Sequence, residues 1–324
     1  MTATETLHVG FCGLGRMGAE MVAALVRSSI TVTAWNRTPA KALQVAATTG
    51  ASYADTPSAA SQDADVVVTM LSDGPAVLQT LGGPAGILSG LREGAVVIEC
   101  STIGVEFTRE AFDLCTRSGI SFLDCPVSGS TQVARRGELG LMVGGDAAVI
   151  DRMRPVLDAL GSSVVHVGPT GSGAAAKVAV NGLLHTFSTA LAETLVAARS
   201  AGVPPAALFD VLAGGVLWNR FLGYKQPAFT DPDHAEVAFD LRTATKDLHL
   251  AWTAAQGAGL SASVVKRALE LHEDAVRSGY GERDMAAMAA WFADSAGAAG
   301  GPVRHAVVTH GRGDNSPGQE PERN

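Results

Sequence analysis

A glycine-rich turn near the start of the chain constrains the fold more than any other feature. An apolar run from Leu7 to Cys12, typical of a short buried strand, leads into the turn. A helical stretch from Ala19 to Ser28 follows it, and Thr31 to Trp35 predicts a second strand. Glycines spaced G-x-G-x-x-G between a strand and a helix form the fingerprint of a dinucleotide-binding unit. The residues that we predict to bind the cofactor here are Gly13, Leu14, Gly15, Arg16, Met17 and Gly18.

The residues after the second strand bear on which dinucleotide binds. An acidic residue at this place hydrogen-bonds the ribose 2′-hydroxyl of NAD, and it would repel the 2′-phosphate of NADP. This chain has Asn36, Arg37 and Thr38 instead. The planar guanidinium of Arg37 can bind a phosphate and Thr38 can donate a hydroxyl, although Arg37 could also be a solvated turn residue. We therefore predict that NADP(H) is preferred and that NAD(H) is possible.

The alternation of strands and helices continues through the first half of the chain. Two near-continuous apolar runs, 65–71 and 95–100, predict buried strands of a parallel sheet. Ligands of such sheets bind at the carboxyl ends of the strands. We therefore expect Leu71, Ser72 and Thr102 to lie beside the cofactor.

A loop of small residues follows another predicted strand, Phe122 to Asp124. Backbone N–H groups in a loop of this kind can bind an anion. The candidate anion site consists of Ser128, Gly129 and Ser130. Beyond the loop we predict strands at 139–143 and 164–167, with one helix from Ala147 to Leu160 between them.

The second half of the chain is predicted to be helical. After residue 168 no convincing strand remains, and helical patterns occur at about 205–213, 239–255, 261–278 and 284–293. The predicted fold is an α/β Rossmann domain with a doubly wound, mostly parallel sheet, followed by an all-α domain and joined to it by a long central helix. The corresponding division is 1–168 for the nucleotide-binding domain, 169–295 for a helical substrate and dimerisation domain, and 296–324 for a disordered tail rich in Gly and Pro.

The central helix begins just after Gly173 and runs to about residue 199. It is apolar almost all round, which predicts burial on most sides. Lys177, Asn181, His185 and Ser188 share one of its faces. With the helix starting there, Lys177 lies in the first turn, where burial and the helix dipole both lower a lysine pKa and favour proton donation. The alternative is a solvated lysine at a frayed helix start. His185 is interpreted as a core histidine with satisfied hydrogen bonds.

Composition excludes several other classes of protein. The 324 residues are 47% hydrophobic with a net charge of −8, and no basic patch points to nucleic acid. No apolar stretch reaches membrane-spanning length, and residues 1–6 lack the basic region of a signal peptide, so we expect a cytoplasmic protein. The four scattered cysteines lack metal-ligand spacing, so we expect no metal site, and Cys12, Cys100 and Cys125 are predicted to be buried free thiols.

Taken together, these motifs resemble the β-hydroxyacid dehydrogenases, the family that contains 3-hydroxyisobutyrate dehydrogenase and the glyoxylate/succinic semialdehyde reductases. Four stretches carry the resemblance, in the family's order: 13–18, 124–130 with the trailing 137–139, 171–181 and 246–248. Each stretch is weak alone, and together they are specific.

The resemblance implies roles for individual residues. Lys177 would be the general acid/base, and Asn181 would hydrogen-bond the substrate. Ser128, Gly129 and Ser130 would hold a substrate carboxylate. The cofactor would be contacted by Leu71, Ser72, Thr102 and Lys246. Asp247 would either position Lys246 through a salt bridge or make a direct contact. The family also implies homodimers or homotetramers.

The leading interpretation is an NADP-dependent dehydrogenase acting on a small hydroxy acid or its aldehyde. Ser130, where most 3-hydroxyisobutyrate dehydrogenases have glycine, and Asn36-Arg37 look more like the NADPH-dependent semialdehyde reductases. Val180 departs from the asparagine that is frequent in the family. Two alternatives stay open. An imine reductase would share the stretch 35–38, and a catalytically inactive NADP-binding module would share the fold. Lys177 argues against both.

Overall fold

The computed structural model describes residues 7–298. The strands are β1 His8–Cys12, β2 Thr31–Trp35, β3 Ser52–Tyr53, β4 Val66–Thr69, β5 Val96–Glu99, β6 Ser121–Asp124, β7 Val127–Ser128, β8 Leu139–Gly144 and β9 Gly161–Gly168. The helices among them are α1 Arg16–Arg27, α2 Pro39–Thr49, α3 Pro57–Ser61, α4 Gly74–Leu81, α5 Ile87–Gly90, α6 Gly104–Arg117, α7 Thr131–Arg136, α8 Ala147–Arg152 and α9 Arg154–Leu160.

The second half is helical, as predicted. Its helices are α10 Ser172–Ser200, α11 Pro205–Ala213, α12 Arg220–Thr230, α13 Leu241–Gly257, α14 Ser263–Ala275 and α15 Met288–Ala298, with a π-helical turn at Val276–Tyr280 and a 3₁₀ turn at Met285–Ala287. The predicted tail, 296–324, lies outside the described residues except for its first three, which end α15. None of the helices between residues 7 and 298 is long and apolar enough to cross a membrane.

One mostly parallel sheet organises the first half. Its order is β3-β2-β1-β4-β5-β6-β8-β7, with β9 beside β8, and only the pairs β6–β8 and β7–β8 are antiparallel. Both faces are covered, because Val66 and Val68 pack into one apolar core and Val67 packs into the other. This is the doubly wound arrangement that the apolar strands predict. It brings the carboxyl ends of β1, β4, β5 and β6 to the same edge.

Two of the departures from the sequence prediction involve a proline. The single helix expected over 147–160 is divided into α8 and α9 at Met153, because Pro155 has no N–H to bond to a carbonyl oxygen one turn back and is tolerated only at the start of a helix, here α9. Helix α12 was not predicted, since Pro227 lies inside it and interrupts the pattern expected of a helix.

The central helix α10 is also buried differently from the prediction. Leu183 is 73% exposed and Val180 is 47% exposed, whereas Asn181, His185 and Ser188 on the polar face are buried. The polar face is covered because it meets other elements, α13 above all. Within a single chain the expectation of burial on most sides was therefore wrong, because the face with Leu183 and Val180 is left exposed by the other described elements of that chain.

Candidate active site

The glycine turn between β1 and α1 has the geometry that a dinucleotide needs. Gly13 has φ +108°, and a Cβ there would lie 2.3 Å from the Met70 carbonyl oxygen. At Gly18 a Cβ would lie 2.0 Å from the carbonyl oxygen of Gly13, so helix and turn pack at backbone distance. At Gly15 a Cβ would meet nothing within 4 Å. An open backbone at the start of α1 fits the diphosphate of a dinucleotide.

The other residues of the turn have separate environments. Leu14 is buried, and the partly buried Met17 packs against the same apolar core. The guanidinium of Arg16 donates from Nη1 to the carbonyl oxygen of Val237, at 2.6 Å. Arg16 thereby connects the glycine turn to the segment before α13.

The residues after β2 have two different environments. Asn36 Oδ1 accepts from the N–H of Leu14 at 2.9 Å, and its Nδ2 donates to the Thr38 carbonyl oxygen at 3.2 Å. Its side chain therefore holds the glycine turn in place. Arg37 and Thr38 are exposed beside it.

Asp73, next to the predicted cofactor contact Ser72, is a candidate site residue that the sequence did not indicate. The Ser72 hydroxyl donates to its carboxylate at 2.7 Å, and the N–H of Ala76 donates at 2.9 Å. These hydrogen bonds, together with the charges of Lys246 and Arg37, lower the pKa of Asp73 despite its partial burial. Its position as the N-cap of α4 was the signal that could have found it.

Glu99 links the two predicted cofactor turns, and it too was missed. Its buried carboxylate accepts from the Thr69 hydroxyl and from the N–H of Ser101. The Ser101 hydroxyl oxygen in turn accepts from the N–H of Leu71 at 2.7 Å. Burial raises the pKa of Glu99 to about 7, with the hydrogen bonds opposing this rise and the charge of Asp124 adding to it.

Lys246 joins the helical half to the sheet. Its Nζ donates to the carbonyl oxygen of Thr102 at 2.6 Å and lies 3.1 Å from Oδ1 of Asp247. The structure thus brings together two residues that are 144 positions apart.

Asp247, on α13, is the centre of a buried polar cluster against the middle of the central helix α10. It is 2% exposed, and its Oδ2 accepts from Asn181 Nδ2 at 2.6 Å and lies 3.6 Å from His185 Nε2. Burial alone raises a carboxyl pKa, but the neighbouring His185 ring and the charges of Lys246 and Lys177 outweigh it, and the pKa of Asp247 is lowered. Asp247 therefore stays an anion that orients both Asn181 and Lys246.

His185 is buried, as expected of a core histidine, and it stacks on Phe239 with ring centroids 5.4 Å apart. Neither ring nitrogen makes a hydrogen bond to another described residue. The prediction of satisfied hydrogen bonds was wrong, and the Asp247 carboxylate lies 3.6 Å from Nε2, beyond hydrogen-bond distance.

Lys177 lies one helical turn before Asn181 and is half-buried. Because α10 begins at Ser172, Lys177 is in the second turn, not the first. The dipole effect falls off within the first turn, so burial is the main cause of its altered acidity. Burial and the charge of Lys246 lower the pKa of Lys177, and the charge of Asp247 opposes them.

The predicted anion loop is held against β8. Ser128 and Gly129 are exposed, and the Ser130 hydroxyl accepts from the Val133 N–H at 3.4 Å as the cap of α7. Gly129 has φ +147°, and a Cβ there would lie 2.8 Å from the side chain of Leu139. Only glycine suits this position, and its backbone is left accessible.

Comparison with known proteins agrees with this geometry. The family model described as the NAD binding domain of 6-phosphogluconate dehydrogenase matches residues 8–168. The model described as NAD-binding of NADP-dependent 3-hydroxyisobutyrate dehydrogenase matches residues 171–292.

Individual relatives cover nearly the same region. An NAD-dependent L-serine dehydrogenase of Pseudomonas aeruginosa is 32% identical over 88% of this chain and 97% of its own length. Glyoxylate/succinic semialdehyde reductase 1 of Arabidopsis thaliana is 32% identical over 87% of this chain and 97% of its own length. The structure of Mycobacterium tuberculosis 3-hydroxyisobutyrate dehydrogenase with L-serine is 31% identical and superposes with a TM-score of 0.79, over 88% of this chain and 99% of that one.

More distant structures share the fold alone. An imine reductase from Myxococcus stipitatus in complex with NADP⁺ is 23% identical, with a TM-score of 0.57 over 87% of this chain and 98% of that one. The two family models, together with relatives that are more than 30% identical over most of their length, establish the family. The chain belongs to the β-hydroxyacid dehydrogenase family.

Proposed function

We propose that this protein is a dehydrogenase that prefers NADP(H) and interconverts a small hydroxy acid with its semialdehyde or keto acid. One observation carries the proposal. A lysine of lowered pKa, Lys177, stands one turn from Asn181, whose amide is oriented by the buried Asp247. Lys246, beside Asp247, reaches the strand-end turn at Thr102. The contacts of Asp247 with Asn181 and Lys246, and its charge acting on Lys177, support a proposed site in which general acid, substrate-binding amide and cofactor edge lie close together.

Lys177 is proposed to move the proton. In reduction its ammonium donates a proton to the carbonyl oxygen of the substrate, and in oxidation the neutral amine accepts the hydroxyl proton. A pKa lowered by burial brings the two forms closer in population near neutral pH, which is the condition for acid/base catalysis in both directions. When bound, the nicotinamide supplies or accepts the hydride.

Asn181 and the anion loop are proposed to orient the substrate. The Asn181 amide donates to Asp247, which leaves its carbonyl oxygen for the reacting hydroxyl. Ser128 and Gly129 offer an exposed hydroxyl and accessible backbone N–H groups to a carboxylate. Holding the acid at one end fixes the position of the reacting carbon, and such orientation supplies much of the rate.

The preference for NADP(H) rests on the residues after β2. Arg37 and Thr38 are exposed beside the glycine turn, and Asn36 supports that turn instead of presenting a carboxylate. An exposed guanidinium suits a 2′-phosphate. NAD(H) is proposed as a second cofactor, because the glycine turn suits the diphosphate that both dinucleotides share.

We also propose that the protein is a homodimer or homotetramer. Leu183 and Val180 expose apolar surface in the middle of the 29-residue helix α10. Apolar surface displayed along a helix in this way is typical of an interface. Light scattering on the wild type and on Leu183→Glu tests this, and equal monomeric masses would contradict it.

The assay that tests the reaction follows NADPH consumption with matched pairs of substrates. Succinic semialdehyde is compared with butanal, and glyoxylate with acetaldehyde. We expect the acid of each pair to have a kcat/KM about tenfold to a hundredfold higher, the effect of one charge-assisted contact. Equal rates for acid and neutral aldehyde would contradict the anion loop and favour the imine reductase alternative. No turnover of any member would favour the inactive cofactor-binding module.

A further inference from the structure

Asp124 has no part in the proposed proton transfer, yet its buried carboxylate makes two hydrogen bonds. It is the last residue of β6 and is 1% exposed. Its Oδ1 accepts from the N–H of Gly171 and its Oδ2 accepts from the N–H of Ala174, both at 2.8 Å. A carboxylate of the sheet is thus bonded to the start of the helix that bears Lys177.

These bonds replace a cap that α10 lacks. The residue before the helix is Gly171, in the left-handed region, and no side chain of its own caps the first turn. The first N–H groups of a helix have no partner within it, and a carboxylate satisfies them well. Asp124 therefore caps α10 from 47 residues away in the sequence.

The space for this carboxylate is made by two glycines. At Gly144 a Cβ would lie 2.5 Å from Asp124 Oδ1. At Gly173 a Cβ would lie 2.5 Å from the Met142 carbonyl oxygen and 2.6 Å from that of Asp124. The helix start and the end of β6 therefore approach each other at backbone distance, and neither can shift without disturbing the carboxylate.

The backbone of Asp124 continues directly into the anion loop. Cys125 follows, with its N–H donating to the Glu99 carbonyl oxygen at 2.7 Å, and the loop then reaches Ser128 and Gly129. One residue consequently has its main chain attached to the proposed substrate anchor and its side chain attached to the helix of the proposed acid.

We propose that Asp124 is a positioning residue that sets the separation between the anion loop at Ser128–Ser130 and Lys177. The inference rests on the proposed function of these two groups. A substrate held at its carboxylate presents its carbonyl oxygen at a distance given by its own length. The spacing of loop and helix then selects which chain length meets the Lys177 ammonium, and a shift of about 1 Å costs about a hundredfold in rate.

The test uses Asp124→Asn with Asp146→Asn as its matched control. The asparagine keeps the size and one acceptor oxygen, but its NH₂ group faces the N–H of either Gly171 or Ala174. Asp146 also caps a helix, α8, through the N–H groups of Ala148 and Val149, and it lies in neither the anion loop nor α10. The kcat and KM for glyoxylate and for succinic semialdehyde are measured for both variants, with NADPH affinity measured by fluorescence titration.

For Asp124→Asn we expect the kcat for the better substrate to fall about tenfold to a hundredfold. The ratio of kcat/KM between the two substrates should change at least about fivefold, while NADPH affinity stays near that of the wild type. Replacing a residue that only stabilises the fold would lower kcat/KM for both substrates by the same factor. Asp146→Asn should have no larger effect than that. An unchanged ratio in Asp124→Asn would overturn the proposal.

A second measurement separates this proposal from the proposed function. Hydrogen exchange of the amides at 171–176 should accelerate in Asp124→Asn, and in Asp124→Ser if the first variant does not fold, whether or not any substrate turns over. A wild-type protein that reduces neither acid contradicts the proposed function. Unchanged exchange at those amides contradicts the positioning role by itself.

Discussion

Asn181 Nδ2 donates to Asp247 Oδ2 across 2.6 Å, and the two residues are 66 positions apart in the sequence. The bond connects α10 to α13 at a buried point and gives the amide of Asn181 one orientation. Lys246 pairs with the other oxygen of the same carboxylate. Asp247 therefore connects the helix that bears Lys177 and Asn181 to Lys246, which in turn reaches the turn at Thr102.

Replacing Lys177 by alanine should abolish most of the catalysis. We expect kcat to fall by about 10²- to 10⁴-fold, the usual contribution of a positioned general acid. NADPH affinity should stay near the wild-type value, because the lysine is proposed to act on the substrate oxygen. Steady-state kinetics and a cofactor titration decide this, with Lys266→Ala, an exposed lysine on α14, as the control. A Lys177→Ala variant that keeps most of its kcat would rule out the assignment.

Asp247→Asn should move the pH dependence of reduction. The negative charge of Asp247 raises the pKa of Lys177 against burial and Lys246, so its removal should lower that pKa further. In the proposed mechanism reduction needs protonated Lys177, so its rate should fall as pH rises through the pKa of Lys177. In the pH profile of kcat for reduction, the alkaline limb should therefore shift to lower pH. In the profile for oxidation, which uses neutral Lys177, the acid limb should shift in the same direction. A limb that stays in place, or moves to higher pH, would show that Asp247 does not act on Lys177.

Arg37→Ala should weaken NADPH selectively. We expect a loss of about 1.5–3 kcal/mol in NADPH binding, the range for hydrogen bonds to a charged group, with NADH affinity nearly unchanged. The physical reason is that only NADPH carries the 2′-phosphate. Titration of both cofactors tests this, and Arg117→Ala at the exposed end of α6 is the matched control. Equal affinity of the wild type for both cofactors would mean that Arg37 does not contact the phosphate.

Glu99→Gln should change how stability depends on pH. In the folded protein burial raises the pKa of Glu99 from 4.5 to about 7, so the folded state binds the proton more tightly than the unfolded state. The wild type therefore loses stability as pH rises from about 4.5 to about 7, by roughly 3 kcal/mol for a shift of this size. The glutamine variant cannot ionise and should lack that loss.

The measurement is urea unfolding of wild type and Glu99→Gln at pH 5 and pH 8, with the exposed Glu110→Gln as the control. The unfolding free energy of Glu99→Gln relative to that of the wild type should be higher at pH 8 than at pH 5. A difference independent of pH would show that Glu99 is ionised in the folded state throughout this range.

Local patterns in the sequence determined the architecture and part of the site. The spacing of Gly13, Gly15 and Gly18 after an apolar run predicts a tight turn and an open helix start, because both depend on nearby backbone alone. The helical period likewise puts Lys177 and Asn181 on one face. Short apolar strands between helices imply a parallel sheet, and the sheet has that form.

The tertiary structure alone decided which groups meet. Leu183 is exposed and Asn181 is buried because α13 covers the polar face of α10, which no pattern within α10 indicates. Asp124 reaches a helix start 47 residues further along the chain, and Lys246 reaches Thr102 across 144 residues. Such contacts depend on where the folded chain brings distant segments together, whereas sequence periodicity describes only the neighbours along one element. The glycine turn and the parallel strands were therefore predictable, and Asp247 was expected beside Lys246, whereas the contacts of Glu99 and Asp124 were not predicted.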